Sequence, residues 1–323
     1  MVREEKTILI TGGLGYVGGR LADYLHRHRP TWQLRLLTRR SVSETPSWAQ
    51  PFKVIQGDVA LSETLREAVQ GVETVIHLAS LNEVKSQRNP RRALEVNSMG
   101  TGNMLEVAQD AGVQRFIYFS TFHVYGPWAA SLITEETSTR PVHPYAITHR
   151  LAEDFVNRSR YLNRMQTLIL RLSNGYGYPM DNSLDCWRLV FNDLCRQALL
   201  EGRIVLRSSG HQQRDFIALS DVVRAVEYFL CLPEEAWKDG LFNLGSGRSM
   251  SVLQVAELIA AEFKRRYEKP ITIVTGHDKN PGSRSEVHYG IKKLQMTSFS
   301  LRDEMTKEIQ RTFEACEGGR HAN

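Results

Sequence analysis

Residues 1–172 alternate short apolar runs with stretches of helical periodicity, and this alternation limits the folds open to the chain more than any other feature. Strand–helix–strand units of this kind build parallel sheets that are covered by helices on both faces. We therefore expect an α/β fold with a doubly wound parallel sheet. The predicted strands are 7–11, 34–38, 52–56, 74–77, 116–120 and 167–172, and the predicted helices are 15–28, 63–70, 92–111 and 145–162.

The alternation of strands and helices ends after residue 172, where glycine and proline residues indicate loops. This change predicts a second, smaller α/β domain, interleaved with the first and located toward the C-terminus. The predicted boundaries are 1–173 for the first domain, to which 215–240 returns, 174–214 and 241–300 for the second domain, and 301–323 for a polar tail.

Composition narrows the class of protein. Hydrophobic residues make up 41% of the 323 residues and charged residues 24%, which is typical of a globular chain. The net charge of +5 is small and its basic residues are scattered, so a nucleic-acid partner is not indicated. The four cysteines form no Cys-x-x-Cys pair, which argues against a zinc site and favours a reducing compartment. No apolar run approaches the length of a membrane span, so we expect a cytoplasmic protein without metal or membrane partner.

A glycine-rich segment, TGGLGYVG at 11–18, lies between the first predicted strand and the first predicted helix. Gly13, Gly15 and Gly18 give it the G-x-G-x-x-G spacing. Glycines allow the backbone to approach a pyrophosphate, and the N-terminus of the following helix attracts its negative charge. The segment therefore predicts a dinucleotide site of the Rossmann type, with contacts from Gly12, Gly13, Gly15, Tyr16, Val17 and Gly18.

The end of the second predicted strand bears on the choice of cofactor. NAD-binding proteins carry an acidic residue there to hold the adenosine ribose, but this chain carries Thr38, Arg39 and Arg40. Two guanidinium groups beside a small hydroxyl suit a 2′-phosphate. We expect NADP or NAD, with NADP favoured. The alternative is that both arginines lie in a solvated turn.

Further blocks follow in an order that resembles the extended short-chain dehydrogenase/reductase family, and within it the NAD-dependent epimerases and dehydratases of nucleotide sugars. Those blocks are Gly57-Asp58-Val59, His77-Leu78-Ala79, Val96-Asn97, Phe119-Ser120-Thr121, Pro144-Tyr145-Ala146, Arg171 to Gly177, and Arg214 to Ile217. The resemblance implies a Rossmann-type fold, and it implies cofactor contacts from Asp58, Val59, Leu78, Ala79, Ser80, Asn97, Tyr145 and His149.

The same resemblance implies that a Ser/Thr and a Tyr-x-x-x-Lys carry the redox chemistry. Thr121 and Tyr145 match this pattern, but the fourth residue after Tyr145 is His149 rather than lysine. Residues four apart share one helix face, so His149 is expected beside Tyr145. Histidine is usually neutral at pH 7 and activates a tyrosine less than lysine does. Three interpretations stay open: an enzyme with a modified relay, a slow enzyme that keeps its cofactor bound, and a binding protein without activity.

The two residues after Thr121 separate the activities within the family. Dehydratases of the family carry Asp-Glu there and decarboxylases carry Glu at the second position, whereas this chain carries Phe122 and His123. The missing carboxylates argue against 4,6-dehydration. His123 is a candidate acid or base over the sugar. The alternative is a structural histidine at a strand end.

The resemblance places the substrate's diphosphate near Asn174, Arg214 and Arg284. Arginine suits this role because its fork binds phosphate oxygens in a bidentate manner. We expect an NAD(P)-dependent oxidoreductase or epimerase that transfers a hydride at a carbon of a nucleotide sugar. The alternatives are an impaired NAD(P)-binding regulator or scaffold and a reductase of a small carbonyl compound. Similar proteins form homodimers through the helices that correspond to 92–111 and 145–162, so a homodimer is expected.

Overall fold

The computed structural model describes residues 5–127, 131–277 and 288–320, and the chain divides into two compact units. The chain passes repeatedly from one unit to the other. The first unit comprises Met1–Ala129, Glu135–Leu172 and Glu227–Asn243, and the second comprises Ala130–Thr134, Ser173–Val226 and Leu244–Asn323.

The first unit is built on a seven-stranded sheet in which six strands pair in parallel. The strand order is β11-β7-β5-β4-β1-β2-β3. The Rossmann-type parallel sheet expected from the sequence is confirmed, and β11 is a strand that the sequence did not predict. The strands are β1 (Thr7–Thr11), β2 (Gln33–Thr38), β3 (Lys53–Gln56), β4 (Thr74–His77), β5 (Arg115–Thr121), β7 (Gln166–Leu172) and β11 (Leu241–Leu244).

Helices cover this sheet. The predicted helix 92–111 begins earlier and contains a π-helical turn, Leu94–Met99. The helix predicted over 63–70 is wrong: the chain forms a 3₁₀ turn at Ser62–Thr64, where the Thr64 hydroxyl bonds backbone groups of Asp58 and Leu61. Such local bonds compete with a helix. The helices are α1 (Tyr16–His28), α2 (Glu83–Arg88), α3 (Pro90–Ala93), α4 (Gly100–Asp110) and α5 (Pro144–Tyr161).

The second unit contains small sheets and packs its helices around its own apolar core. Its three-stranded sheet has the order β12-β10-β8, while β13 pairs with β9 and β14 pairs with β6. Helix α7 (Leu219–Cys231) begins in this unit and ends in the first. The strands are β6 (Leu132–Ile133), β8 (Asn174–Tyr176), β9 (Arg203–Leu206), β10 (Gln213–Ala218), β12 (Ser249–Ser251), β13 (Thr272–Thr275) and β14 (His288–Tyr289), and the helices are α6 (Val190–Glu201), α8 (Val252–Tyr267), α9 (Lys292–Gln295) and α10 (Met305–Arg320).

The polar tail predicted over 301–323 is instead largely the helix α10. Met305, Ile309 and Phe313 recur at helical spacing and are buried in the core of the second unit. The stretch before α10 is held by the Asp221 carboxylate, which accepts the backbone N–H of Arg302 and of Asp303, each at 2.9 Å. Although this segment is polar in composition, its apolar stripe therefore packs against the core of the second unit. No helix in the described part of the chain combines the length and apolar character that a membrane crossing requires.

Candidate active site

The glycine-rich segment forms a tight turn between β1 and α1 that leaves no room for side chains. Gly12 has a φ of +67°, and a Cβ at Gly18 would lie 2.3 Å from the Gly12 carbonyl oxygen. The first turn of α1, all of it described, carries no acidic residue. Backbone N–H groups and the positive end of α1 therefore meet at a surface that fits a pyrophosphate. Tyr16 and Val17 open the helix at this point.

The arginine pair lies directly beside this turn. The backbone N–H groups of Gly12 and Gly13 both point at the Leu37 carbonyl oxygen, at 3.1 and 3.4 Å. Thr38 follows as the last residue of β2, and its hydroxyl accepts the N–H of Arg40 at 3.2 Å. The Arg39 side chain is exposed. The structure thus brings Thr38, Arg39 and Arg40 next to the glycine turn, as the sequence predicted.

Asp58 and Val59 follow β3 and are tied to the neighbouring helices. Asp58 Oδ2 accepts a hydrogen bond from Arg92 Nη2 at 2.9 Å, and its Oδ1 accepts the N–H of Ala60 at 2.9 Å. The Val59 carbonyl oxygen accepts from Asn103 Nδ2 at 3.0 Å. The Asp58 carboxylate therefore has a fixed orientation at the carboxyl edge of the sheet.

Leu78, Ala79 and Ser80 leave β4 at the same edge. The Thr11 hydroxyl accepts the backbone N–H of Leu78 and of Ala79, both at 3.2 Å, which holds this segment against the glycine turn. The next residue, Leu81, donates its N–H to Asn97 Oδ1 at 2.7 Å.

Asn97 lies in the π-helical turn and is only 1% exposed. Its Oδ1 accepts from Leu81, and its Nδ2 donates to Thr148 Oγ1 at 3.0 Å. Both ends of the amide are used within the protein. Asn97 therefore braces the backbone after β4 against α5, and its contact with the cofactor stays a prediction.

Thr121 and Tyr145 come together where β5 ends and α5 begins. Burial raises the pKa of Tyr145 to about 12, because the phenolate would lose its hydration. The nearby Thr121 side chain lowers this pKa and the Glu83 carboxylate raises it, and neither outweighs the effect of burial. Tyr145 is therefore a protonated phenol at neutral pH, close to Thr121.

His149 lies one helical turn further along α5 and packs its ring 4.4 Å from that of Tyr145. The imidazole is 3% exposed, its Nδ1 lies 2.7 Å from the Tyr118 hydroxyl, and its Nε2 is buried without a hydrogen-bond partner among the described residues. Burial lowers the pKa of His149 to about 3, and His77 and His123 add to this effect. The sequence correctly predicted the position of His149 next to Tyr145, and the structure makes it a neutral group.

His123 and Arg150 lie differently with respect to Thr121 and Tyr145. The His123 ring packs on Phe122 at 4.0 Å and approaches the Tyr145 ring edge-on at 6.2 Å, so it lies within the site. Arg150 bonds Thr139 Oγ1 at 3.0 Å and Asp154 Oδ1 at 2.6 Å. These bonds draw its guanidinium away from the face of α5 that carries Tyr145, so Arg150 does not replace the lysine.

Two residues of the site were not singled out as catalytic by the sequence: Tyr118 on β5 and His77 on β4. Their rings, with those of His149 and Tyr145, form an aromatic row with centroid distances of 6.0, 5.9 and 4.4 Å. His77 Nδ1 lies 2.9 Å from the Thr11 hydroxyl, and burial lowers the pKa of His77 to about 3. The available signal was the alternation of β5, which turns Tyr118 toward α5.

The substrate candidates belong to the second unit. Asn174 begins β8 and donates from Nδ2 to the Asp215 carbonyl oxygen at 2.8 Å, and Arg214 precedes Asp215 on the adjacent strand β10. The Asp215 carboxylate accepts bonds from Ser173 and Ser246, which fixes this part of the sheet. Arg284 lies outside the described residues. Within the described ranges, no cluster of three or more His, Cys, Asp or Glu side chains is arranged to hold a metal ion.

Comparison with known proteins identifies the family. The model of the NAD dependent epimerase/dehydratase family matches residues 8–245, which is most of the chain. This match confirms the resemblance that the ordered sequence motifs predicted, and with it the expectation of an NAD-dependent enzyme.

Three similar proteins illustrate the range within this family. The chain is 29% identical over 266 residues to a dTDP-D-glucose 4,6-dehydratase of Mus musculus, covering 78% of this chain and 71% of the relative. It is 25% identical over 312 residues to a putative UDP-glucose 4-epimerase of Methanocaldococcus jannaschii, covering 94% and 96%. A solved UDP-N-acetylglucosamine 4-epimerase from Methanobrevibacter ruminantium M1 has the same fold, with a TM-score of 0.81, 22% identity and coverage of 98% and 99%.

Proposed function

Since the chain belongs to the NAD-dependent epimerase/dehydratase family, we propose that it transfers a hydride between a nicotinamide dinucleotide and a carbon of a nucleotide sugar. The observation that carries this proposal is that Thr121, at the end of β5, and Tyr145, at the start of α5, lie together at the carboxyl edge of the parallel sheet. The glycine turn and the segment after β4 lie at the same edge. Ligands of open parallel sheets bind at this edge.

The glycine turn and the segment after β4 would hold a nicotinamide dinucleotide, which would supply or accept the hydride, and the protein side chains would handle the proton. Tyr145 holds its proton at neutral pH, so it is prepared to donate that proton to a carbonyl oxygen of a keto-sugar. Thr121, next to Tyr145, would donate a second hydrogen bond to the same carbonyl oxygen. The reverse step, removal of a proton from a sugar hydroxyl, requires the Tyr145 phenolate and is the harder direction for this site.

Epimerisation or reduction fits the site better than 4,6-dehydration. Relatives with both kinds of name match the chain. Phe122 and His123 occupy the two positions after Thr121 and provide no carboxylate, so the acid and base of a dehydration are missing there. His123, 6.2 Å from Tyr145 between ring centroids, is a candidate proton carrier for the sugar.

The test is a panel of UDP-, GDP-, dTDP- and CDP-sugars incubated with cofactor, with products separated by chromatography and the cofactor followed by absorbance. Tyr145→Phe is expected to reduce turnover about 100-fold or more while cofactor binding persists. Asn174→Ala and Arg214→Ala are expected to raise KM by weakening the diphosphate contacts that we propose for them. A folded, cofactor-loaded protein that converts none of these sugars would favour the regulator or scaffold alternative.

For the cofactor we propose a preference for NADP over NAD. Arg39 and Arg40 lie beside the glycine turn, and a charge-assisted bond contributes on the order of 1.5–3 kcal/mol, reduced by the exposure of Arg39. Calorimetric titration is expected to give NADPH about tenfold tighter than NADH. Arg39→Ala is expected to remove most of that preference, whereas the exposed Arg203→Ala in the second unit leaves it intact. Equal affinities of the wild-type protein for NADPH and NADH would contradict the proposed preference for NADP.

For assembly we propose a homodimer formed by the helices around the π-helical turn and α5. Four large apolar side chains on these helices are exposed: Leu94, Met99, Ile147 and Leu151. Such a patch is typical of an interface. Sedimentation velocity at micromolar concentration is expected to show a dimer that Met99→Glu with Leu151→Glu converts to monomer. The cytoplasmic location stays a prediction, supported by four cysteines that are all free thiols.

A further inference from the structure

We propose that His143 is a positioning residue for the reaction: its unprotonated imidazole caps helix α5 at the N–H of Tyr145, and protonation of the ring removes this cap. The proposal rests on the function proposed above. His143 is the residue immediately before α5, and its Nδ1 accepts the backbone N–H of Tyr145 at 3.2 Å. A group that can take up a proton therefore holds the backbone of the residue that carries the reactive phenol.

The proline between these two residues explains why the cap forms here. A residue before proline is kept in extended backbone, and His143 has φ −93° and ψ 138°, as a capping residue requires. Pro144 has no N–H, so the N–H of Tyr145 is the first donor of α5. The His143 carbonyl oxygen accepts the N–H of Ile147 at 2.9 Å. His143 thus holds the first turn of α5 through both its side chain and its backbone.

The carbonyl side of Tyr145 is held by a different kind of group. The Thr148 hydroxyl donates to the carbonyl oxygens of Tyr145 and Pro144, at 3.0 and 2.9 Å, and accepts from Asn97 Nδ2 at 3.0 Å. Thr148 is 4% exposed and Asn97 is 1% exposed, whereas the His143 side chain is 29% exposed. Of the two groups that hold the Tyr145 backbone, His143 is the one that exchanges protons with solvent.

The direction of the hydrogen bond determines the state of the ring. A backbone N–H can only donate, so Nδ1 of His143 offers its lone pair and the neutral ring carries its proton on Nε2. Nε2 faces the Glu83 carboxylate of α2, with Oε1 at 4.0 Å. Protonation adds an N–H on Nδ1 that meets the N–H of Tyr145, and it brings positive charge to the positive end of α5. The cap is then lost.

Other helices of the chain have caps of a different chemistry. Asn82 caps α2, Asn89 caps α3 and Ser251 caps α8. Asn and Ser are preferred at this position, and neither takes up a proton near neutral pH. Histidine is the side chain that changes charge in this range. Helix α5 differs from these three helices in having a cap that a proton can remove.

Two further histidines near Tyr145 are distinguished from His143 by what they contact. Burial lowers the pKa of His149 to about 3, so its charge is constant above pH 4. His123 approaches the Tyr145 ring edge-on, at 6.2 Å between centroids, and its effect is expected on the phenol. The backbone amide of Tyr145 is therefore the probe that reports on His143.

The first experiment needs no variant. Long-range ¹H–¹⁵N correlation spectra of the wild-type protein report which ring nitrogen of neutral His143 carries the proton, and we expect Nε2. The amide resonance of Tyr145 is followed from pH 8 to pH 4, and we expect it to shift together with the ring signals of His143 as the hydrogen bond is lost. A neutral ring with its proton on Nδ1, or an amide that does not follow the ring, overturns the proposal.

The second experiment separates the cap from its proton. His143→Asn keeps an acceptor that does not titrate, so the Tyr145 amide is expected to lose most of its pH dependence. His143→Ala removes the acceptor, and hydrogen exchange of the Tyr145 amide is expected to accelerate about fivefold at pH 8. The matched control is Asn89→Ala, which removes the cap of α3, also before a proline, and leaves this exchange unchanged. Unchanged exchange in His143→Ala, or full pH dependence in His143→Asn, contradicts the proposal.

The third experiment measures turnover of a nucleotide sugar. In His143→Ala, kcat is expected to fall about fivefold at pH 8 with KM within about twofold, because Tyr145 is displaced and no substrate contact is removed. His143→Asn is expected to restore kcat to within about twofold of wild type and to weaken its decline toward acidic pH. A wild-type kcat in His143→Ala rejects the positioning role. If no nucleotide sugar is converted, the proposed function fails, while the spectra and exchange rates still show whether His143 holds Tyr145.

Discussion

Helix α5 meets strand β5 through two buried polar pairs, His149 with Tyr118 and Glu153 with Ser120. His149 and Glu153 are one helical turn apart, and Tyr118 and Ser120 are neighbours on one face of the strand. The Tyr118 hydroxyl lies 2.7 Å from His149 Nδ1, and the Ser120 hydroxyl donates to Glu153 Oε1 at 2.6 Å. The geometry of the two pairs is similar, but their electrostatics differ.

The difference is the presence of a counter-ion. Arg171 on β7 donates to both carboxylate oxygens of Glu153, at 2.9 and 2.7 Å. Burial alone lowers the pKa of Arg171, but the hydrogen bonds and the attraction of Glu153 raise it overall, so Arg171 stays charged. His149 has no such partner, and burial lowers its pKa to about 3. The buried Arg171 therefore keeps its charge beside its counter-ion, whereas the group one helical turn after Tyr145 is neutral.

The largest expected effect comes from breaking the charged pair. Glu153→Ala leaves the buried Arg171 guanidinium without its counter-ion, and we expect the free energy of unfolding to fall by about 3–5 kcal/mol. The neighbouring Asp154→Ala, which removes an exposed partner of Arg150, is expected to cost about 0–1 kcal/mol. Urea denaturation of both variants measures the difference. A loss below about 1 kcal/mol in Glu153→Ala would mean that the buried pair is solvated.

The second pair, His149 with Tyr118, is tested by the pH dependence of the free energy of unfolding. In the folded state the pKa of His149 is about 3, whereas in the unfolded state it is about 6.5, so only the unfolded chain takes up this proton between those values. Stability is therefore complete above pH 6.5 and falls as the pH falls toward 3, with a slope of up to about 1.4 kcal/mol per pH unit from this residue.

His149→Gln removes one proton from that linkage. Between pH 6 and pH 4, we expect the stability of the variant to fall by about 2–3 kcal/mol less than that of the wild type. Unfolding curves at several pH values measure the slope. The exposed His211→Gln is the control and should leave the wild-type slope unchanged. The same slope in all three proteins would show that His149 is protonated or solvated in the fold.

The strands, the glycine turn and the motifs of the family could be predicted from the sequence, because each depends on residues that are close together in the chain. Tyr145 and His149 could be placed on one helix face from their spacing alone. The charge state of His149 could not be predicted in this way, since it depends on which residues of β5 and β7 surround the imidazole. The roles of Tyr118 and Arg171 were missed for the same reason: each contacts α5 from a strand distant in sequence, and only the register of the sheet brings them there.

A lysine at position 149 tests whether the absence of a positive charge next to Tyr145 affects the reaction. In His149→Lys the ammonium group is expected to lower the pKa of Tyr145 by about one unit or more, and to raise the rate of sugar oxidation below pH 8 about tenfold. The pH–rate profile would move to lower pH. His149→Met, which has similar length and no charge, is the matched control. Identical profiles for the lysine and methionine variants would mean that the phenolate of Tyr145 does not limit the reaction.

The smallest expected effect concerns Arg150, the permanent cation next to His149 in sequence. It lies on a different face of α5, where its guanidinium bonds Thr139 and Asp154 and its Nε lies 3.9 Å from the Glu153 carboxylate. Exposed pairs of this kind contribute little because water screens them, so Arg150→Gln is expected to lower the free energy of unfolding by about 0.5 kcal/mol or less. Turnover and its pH profile are expected to stay within about twofold of wild type, because this charge lies on another face of α5 from Tyr145 and is not among the groups that shift its pKa. Steady-state kinetics at pH 6 to 9 measure this. A tenfold loss of turnover with an altered pH profile would mean that the charge of Arg150 acts on Tyr145 during the reaction.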